Sequence, residues 1–145
     1  IPKELCVLCK FIKMKRASKI ILLNSKKEFL LFLRDNKLDI PFPGYWDFIG
    51  GETEKDETDL ESIKREIDEE IENVNIGKIE FIGNILAGDN CNNSIFIGQV
   101  NTPLNKIKLN EGQRLNYFRF EELHKIKLAP YYMDFILKNK EKLGL

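Results

Sequence analysis

The sequence predicts an α+β fold in which helices cover a mixed β-sheet. Three observations predict it. Apolar runs of strand length recur along the chain, separated by polar and turn-forming residues. Two stretches have helical character, and strands interspersed with helices favour a sheet with helices packed on it. The chain is 145 residues long, which suits one domain spanning residues 1–145 around one core.

Residues 20–23 and 28–33 are apolar and flank Asn24-Ser25-Lys26-Lys27, which predicts a hairpin. Residues 36–45 carry Pro41, Pro43 and Gly44 and read as a loop. Residues 46–49 form a short strand that stops at the Gly50-Gly51 pair. Residues 58–73 are helical. At 100° per residue, Leu60, Ile63, Ile71 and Val74 fall within about 40° of Ile67 and make one apolar stripe. Asp56 or Thr58 is placed to cap this helix. Residues 79–86 and 94–100 read as strands around a polar loop at 88–93, and residues 115–120 as another strand. Pro130 suits the first turn of a last helix reaching residue 142.

Composition narrows the function. Hydrophobic residues make up 43% and charged residues 32%, as in a globular protein. No uninterrupted apolar run exceeds five residues, so neither a transmembrane helix nor a signal-peptide core is expected. The first residue, Ile1, is not Met, as when a short leader has been trimmed. Three cysteines, an odd count, point to the cytoplasm. Cys6 and Cys9 form a CxxC, but a zinc site needs four ligands. Cys91 and His124 lack motif spacing, so Cys6 and Cys9 read as part of a buried apolar segment. His124 reads as a surface residue on a short helix.

The formal net charge is zero, which argues against a broad membrane- or nucleic-acid-binding surface. The charges are nevertheless segregated. Residues 1–37 carry +7, residues 38–50 carry −2, residues 51–72 carry −8 and residues 73–145 carry +3. Within the acidic stretch, Glu66, Glu69 and Glu70 share one flank of the helix. A solvated charged face would pair Glu with Lys or Arg at i,i+4, as Glu61–Arg65 and Arg65–Glu69 do. Glu66 and Glu70 have no such partner, and their like-charge pairing is unfavourable unless something neutralises it. Oxygen ligands without sulfur or imidazole suit Mg²⁺ or Mn²⁺. Spacing alone leaves a metal site and a solvated face equally open.

The residue identities go further. Gly51, five residues, Glu57, seven residues, Arg65-Glu66-Ile67, one residue and Glu69-Glu70 resemble the Nudix box. Tyr45-Trp46-Asp47-Phe48-Ile49-Gly50-Gly51 is similar to the family's aromatic-rich approach to the double glycine. Ile49 stands where proline is common. Leu109-Asn110-Glu111-Gly112-Gln113, Tyr117-Phe118 and Glu121-Glu122-Leu123 resemble the C-terminal segment of MutT-like members. The box departs from the pattern at Glu72, where glycine is usual, and at Asn73, where an aliphatic is usual. Val74 can take the aliphatic role.

The resemblance implies an α/β/α sandwich and a Mg²⁺-dependent hydrolase, with Mn²⁺ as an alternative. The substrate would be a nucleoside diphosphate joined to another group. The favoured expectation is a nucleoside triphosphate cut to monophosphate and pyrophosphate. A nucleotide sugar, ADP-ribose or dinucleoside polyphosphate is the alternative, and a silent nucleotide-sensing module is the non-enzymatic one. By position, Glu66, Glu69 and Glu70 would bind metal, often with the Gly50 carbonyl. Arg65 would orient a glutamate, and Glu57 would support the cluster or a second metal. The general base would be Glu111, with Glu69 or Glu70 as the alternative. Arg34 would face the phosphates. Tyr45, Tyr117 and Phe118 are candidates to stack a base, with Trp46 and Phe48 as core or pocket wall. The partner would be a small nucleotide, with no membrane and no nucleic acid, and the oligomeric state is unspecified.

Overall fold

The structure is a computed structural model that describes residues 14–87 and 90–145. Cys6 and Cys9 lie outside the described residues.

The hairpin forms as expected from β1 (Lys15–Leu23) and β2 (Phe29–Leu33), paired at Leu23↔Phe29. Asn24 closes the turn, its side-chain oxygen accepting from the backbone of Lys26 at 3.0 Å and Glu28 at 2.9 Å. Two short strands follow, β3 (Trp46–Asp47) on β2 and β4 (Ile49–Glu52) on β1. The strand expected to stop at the double glycine therefore breaks at Phe48 and continues through both glycines. Gly50 explains the continuation. Its φ of +145° is a glycine conformation, and a Cβ there would collide with the Ser18 carbonyl on β1.

The helix is α1 (Asp59–Glu70). Thr58 starts it with a capping box: Thr58 Oγ1 accepts from Glu61 N–H at 3.1 Å and the Glu61 carboxylate from Thr58 N–H at 2.9 Å. Glu61 is thereby drawn into the cap rather than the expected pairing with Arg65. The helix ends three residues before the expected limit of residue 73. The Asn110 N–H takes the Glu70 carbonyl at 2.8 Å, and Ile71 turns extended to pair with Leu109. That makes a two-stranded ribbon of β5 (Ile71–Glu72) and β8 (Lys108–Leu109). Leu60, expected in the apolar stripe, is 41% exposed. The first turn is held by hydroxyls instead, with buried Ser62 Oγ 3.0 Å from the half-buried Thr53 Oγ1 just past β4.

The remaining strands are β6 (Glu80–Ala87), β7 (Cys91–Gln99) and β9 (Arg114–Phe118). β7 begins at Cys91, so the expected 88–93 loop is shorter. β9 ends at Phe118, before a 3₁₀ turn at Phe120–Lys125 that carries exposed His124. The last helix is two pieces, α2 (Tyr132–Lys138) and α3 (Lys140–Leu143), broken at Asn139. The Asn139 amide donates to the Phe135 carbonyl at 2.8 Å. Pro130 precedes the helix rather than entering its first turn.

The sheet is mixed, as predicted. Its order is β3-β2-β1-β7-β6, with β4 also on β1 and β9 also on β2. β1 and β7 run parallel and the other pairs antiparallel. Alternation along β1 gives each face its own core. Ile20 and Leu22 join Ile63 and Ile67 of α1, and Ile21 and Leu23 join Phe48, Tyr132, Phe135 and Ile136 on the α2 side. The result is a helix–sheet–helix sandwich with the double glycine at one end of its central strands.

Because the capping box starts the helix that carries the carboxylates, Thr58→Ala should lower unfolding free energy by about 1 kcal/mol in urea titration. An unchanged midpoint would show that the box contributes nothing.

Candidate active site

The C-terminal half of α1 lies against β4 so that its acidic flank meets the double glycine. Glu70 is 3% exposed and its carboxylate accepts the Gly50 N–H at 2.8 Å. Glu66 stands over Gly51, where a Cβ would lie 2.7 Å from the Glu66 carboxylate. Any side chain at residue 51 would push Glu66 away, which is why the close approach needs glycine.

Arg65 gathers the acids. Its Nε donates to Glu57 Oε2 at 2.7 Å and its Nη2 to Glu57 Oε1 at 3.0 Å, a two-pronged pair. Nη1 donates to Glu66 at 3.0 Å and to Glu69 at 3.3 Å, and Nη2 also reaches the Glu52 carbonyl at 3.0 Å. The predicted Arg65–Glu69 pair is therefore present. The Arg65 hydrogen bonds hold the Glu57 carboxyl below its ordinary range.

Glu66 and Glu70 shift the other way. Burial pushes Glu66 up, against the pull of Arg65, and the charges of Glu69 and Glu111 add to the rise. Burial pushes Glu70 up to about 8, opposed by Lys19 and the Gly50 N–H and assisted by Glu66 and Glu111. Glu111 is exposed, yet its charge is felt by both. The segment that carries it is pinned at two ends. Asn110 Nδ2 donates to the Glu69 carbonyl at 3.1 Å, and Gln113 donates to the Leu33 and Arg34 carbonyls at 2.8 Å each.

A second cluster lies on the opposite face of the same strands. Asp47 is 4% exposed and accepts from Lys19 Nζ at 3.2 Å, Arg34 Nη1 at 3.0 Å and the Phe48 N–H at 2.7 Å. The buried Tyr132 hydroxyl also bonds it. Lys19 Nζ donates further to the Phe48 carbonyl at 3.3 Å and approaches the Gly50 carbonyl at 3.5 Å. The sequence singles out Arg34, as a residue to face phosphates, but gives no sign that it meets Lys19 and Asp47. The available signal was a lone cation and a lone carboxylate, each flanking buried apolar residues.

The stacking candidates separate. Phe118 is 7% exposed and packs edge-on against Trp46, with ring centres 4.8 Å apart, so it is core and offers no face to a ligand. Trp46 and Phe48 are core as well. The Tyr117 hydroxyl donates to the Thr102 carbonyl at 3.0 Å, and its ring packs on the α1-side core. Tyr45 is half-buried and carries Lys127 Nζ 4.5 Å above its ring.

Among the described residues, no group of three or more Asp, Glu, His or Cys is disposed to hold a metal ion as it stands. Glu66 and Glu69 both lean on Arg65. The donor set still fits a hard divalent cation. It is all oxygen, burial and neighbouring negative charge raise Glu66 and Glu70 above their ordinary pKa, and the Glu69 side chain is 53% exposed.

A family profile for the NUDIX domain matches residues 13–137. The chain belongs to the Nudix family. Solved structures agree on the fold. A MutT protein from Methanosarcina mazei Go1 superposes with a TM-score of 0.67 at 23% identity, covering 88% of this chain and 94% of that one. The E. coli ORF135 protein gives 0.67 at 25% identity, covering 93% and 94%. A mutT/nudix family protein from Listeria innocua gives 0.69 at 19% identity, covering 90% and 94%. No curated protein matches the chain in sequence. The Nudix domain makes it a hydrolase of nucleoside diphosphate derivatives, in a family that generally uses a divalent metal. No helix among the described residues is long and apolar enough to cross a membrane.

Glu70 makes the cation-free Nudix site sensitive to pH. Its folded-state pKa of about 8 exceeds the ordinary 4.5, so between these values the folded chain holds a proton that the unfolded chain has released. Stability of the cation-free protein should therefore fall as pH rises from about 5 to about 8, by up to a few kcal/mol. Glu70→Gln should remove most of that slope in urea titrations across the window. Equal slopes in both proteins would show that Glu70 is not the group responsible.

Proposed function

We propose that this Nudix hydrolase cleaves a nucleoside triphosphate to the monophosphate and pyrophosphate, using Mg²⁺ or, alternatively, Mn²⁺. The observation that carries the reading is the placement of Glu111. The 109–113 segment is tied at one end to the last turn of α1 and at the other to Arg34. One short segment thus runs from the acidic cluster to the backbone at Arg34, whose side chain is a cation suited to phosphate.

Glu66, Glu69 and Glu70, with the Gly50 carbonyl, would hold the metal, whose chemistry is to neutralise phosphate charge and to acidify water. Arg65 positions Glu66 and Glu69, and Glu57 holds Arg65. Glu111 acts as the general base. It is exposed and adjoins the cluster, whereas Glu70 is buried against Gly50. Water attacks a phosphoanhydride phosphorus: its oxygen joins phosphorus, its proton passes to the Glu111 carboxylate, and the P–O bond to the departing pyrophosphate breaks. Arg34, held by Asp47 and by the Pro41 carbonyl at 2.9 Å, presents its remaining N–H groups to the phosphates. Tyr45 lies beside this path.

Product identification across a nucleotide panel tests the reading. Pyrophosphate and a monophosphate should appear from a triphosphate with Mg²⁺ or Mn²⁺. Products from nucleotide sugars, ADP-ribose or dinucleoside polyphosphates alone would replace the substrate assignment, and binding without turnover would indicate a sensor. Glu111→Gln should lower kcat by about 10²- to 10⁴-fold with KM little changed. A kcat within about threefold of wild type would move the base to Glu69 or Glu70.

A further inference from the structure

Glu72 stands where glycine is usual in the Nudix box, and the proposed chemistry gives it no role. It lies opposite Lys108 in the β5–β8 ribbon, with its carboxylate 3.4 Å from Lys108 Nζ. The Asn110 amide, and after it Lys108, holds the Glu72 carboxyl below its ordinary range. Glu72 therefore reaches the site through Asn110.

Asn110 closes the C-terminal end of α1. Its backbone N–H donates to the Glu70 carbonyl at 2.8 Å, and its Nδ2 donates to the Glu69 carbonyl at 3.1 Å. A helix end leaves its last carbonyls without helical partners, and the last turn of α1 has no basic side chain to serve them. Nδ2 carries two hydrogens. The Glu69 carbonyl takes one, and the Glu72 carboxylate draws the same group. Both neighbours are acceptors, so the amide has one orientation. Glycine at residue 72 would leave that orientation to a single bond.

The next residue is Glu111. It is exposed, so the backbone that carries it sets its place. On its far side Gly112 is held close to β2. Its φ is +83°, and a Cβ there would lie 2.6 Å from the Leu33 carbonyl. On its near side the only residue before the helix contacts is Asn110. We propose that Asn110 is a positioning residue, which sets Glu111 against Glu69 and Glu70 by bonding the backbone carbonyls of both, and that Glu72 orients its amide. The inference rests on the reading of Glu111 as the general base. A base that must meet a water beside the acidic cluster tolerates little displacement, since a misplacement of about 1 Å costs about a hundredfold in rate.

A double-mutant cycle on the full chain, with Mg²⁺ and whichever nucleotide it cleaves, tests this. Asn110→Ala should lower kcat about ten- to hundredfold and leave KM within about twofold. Glu72→Ala, a change at an exposed side chain, should lower kcat about two- to tenfold. Glu72→Gln, whose amide oxygen still accepts, should recover most of that loss. In a Glu111→Gln background, Asn110→Ala and Glu72→Ala should lower kcat no further, because the base they position is gone. The same fold-loss in both backgrounds would mark a general structural role and overturn the inference. So would an Asn110→Ala kcat within about twofold of wild type. If Asn110→Ala does not fold, Glu72→Ala decides, and a kcat equal to wild type overturns the inference. In each of these cases a large loss in Glu111→Gln alone leaves the base assignment standing. A Glu111→Gln kcat near wild type would overturn the base assignment and the inference together.

Discussion

Arg65 holds together charges that would otherwise drive the helix and the double-glycine strand apart. Glu57, Glu66 and Glu69 all accept from its guanidinium, and the same group reaches the Glu52 carbonyl on β4. A planar fork with five donors can do this; a lysine ammonium, with three donors on a flexible stem, cannot match the geometry. Glu57 is fixed twice over, since it also accepts from the Glu54 N–H at 2.7 Å. The acids need such an anchor because two of them sit partly or wholly out of water, where a bare carboxylate is unfavourable.

Gly50 joins the acidic cluster to the cationic one. Its N–H bonds Glu70, and its carbonyl lies 3.5 Å from Lys19 Nζ. The two faces of the sandwich thus carry opposite chemistry and meet at one residue. Carboxylates gather on the α1 face, and Lys19, Asp47 and Arg34 form a buried cluster on the α2 face with one more cation than anion. A polyanionic substrate held with a divalent ion matches both halves: the ion offsets the carboxylates, and the substrate offsets the surplus cation.

The parts of the site set by one helix were legible in the sequence. Glu66, Glu69 and Glu70 share a single helical register, so spacing alone put them on one flank. The mixed sheet was legible too, because strand-length apolar runs recur and the turn residues between them are distinctive. What depended on contacts between distant segments was not. Lys19 and Asp47 meet because β4, which follows Asp47, pairs with β1, and nothing local to either residue says so. Helical periodicity continued through Ile71 and Val74, but Asn110 captured the Glu70 carbonyl and ended α1 sooner. Phe118 looked available for stacking, yet the pairing of β9 with β2 turned it under Trp46.

On the proposed function, α1 and the double glycine form a buried carboxylate site prepared for a divalent cation. Calorimetric titration of the cation-free protein with Mn²⁺ at pH 7, in two buffers of different ionisation enthalpy, tests it most directly. Glu70, with a pKa of about 8, is mostly protonated there. Binding should therefore release about one proton, and Glu70→Gln should abolish the release. Binding with no proton release, or no binding at all, would contradict the account.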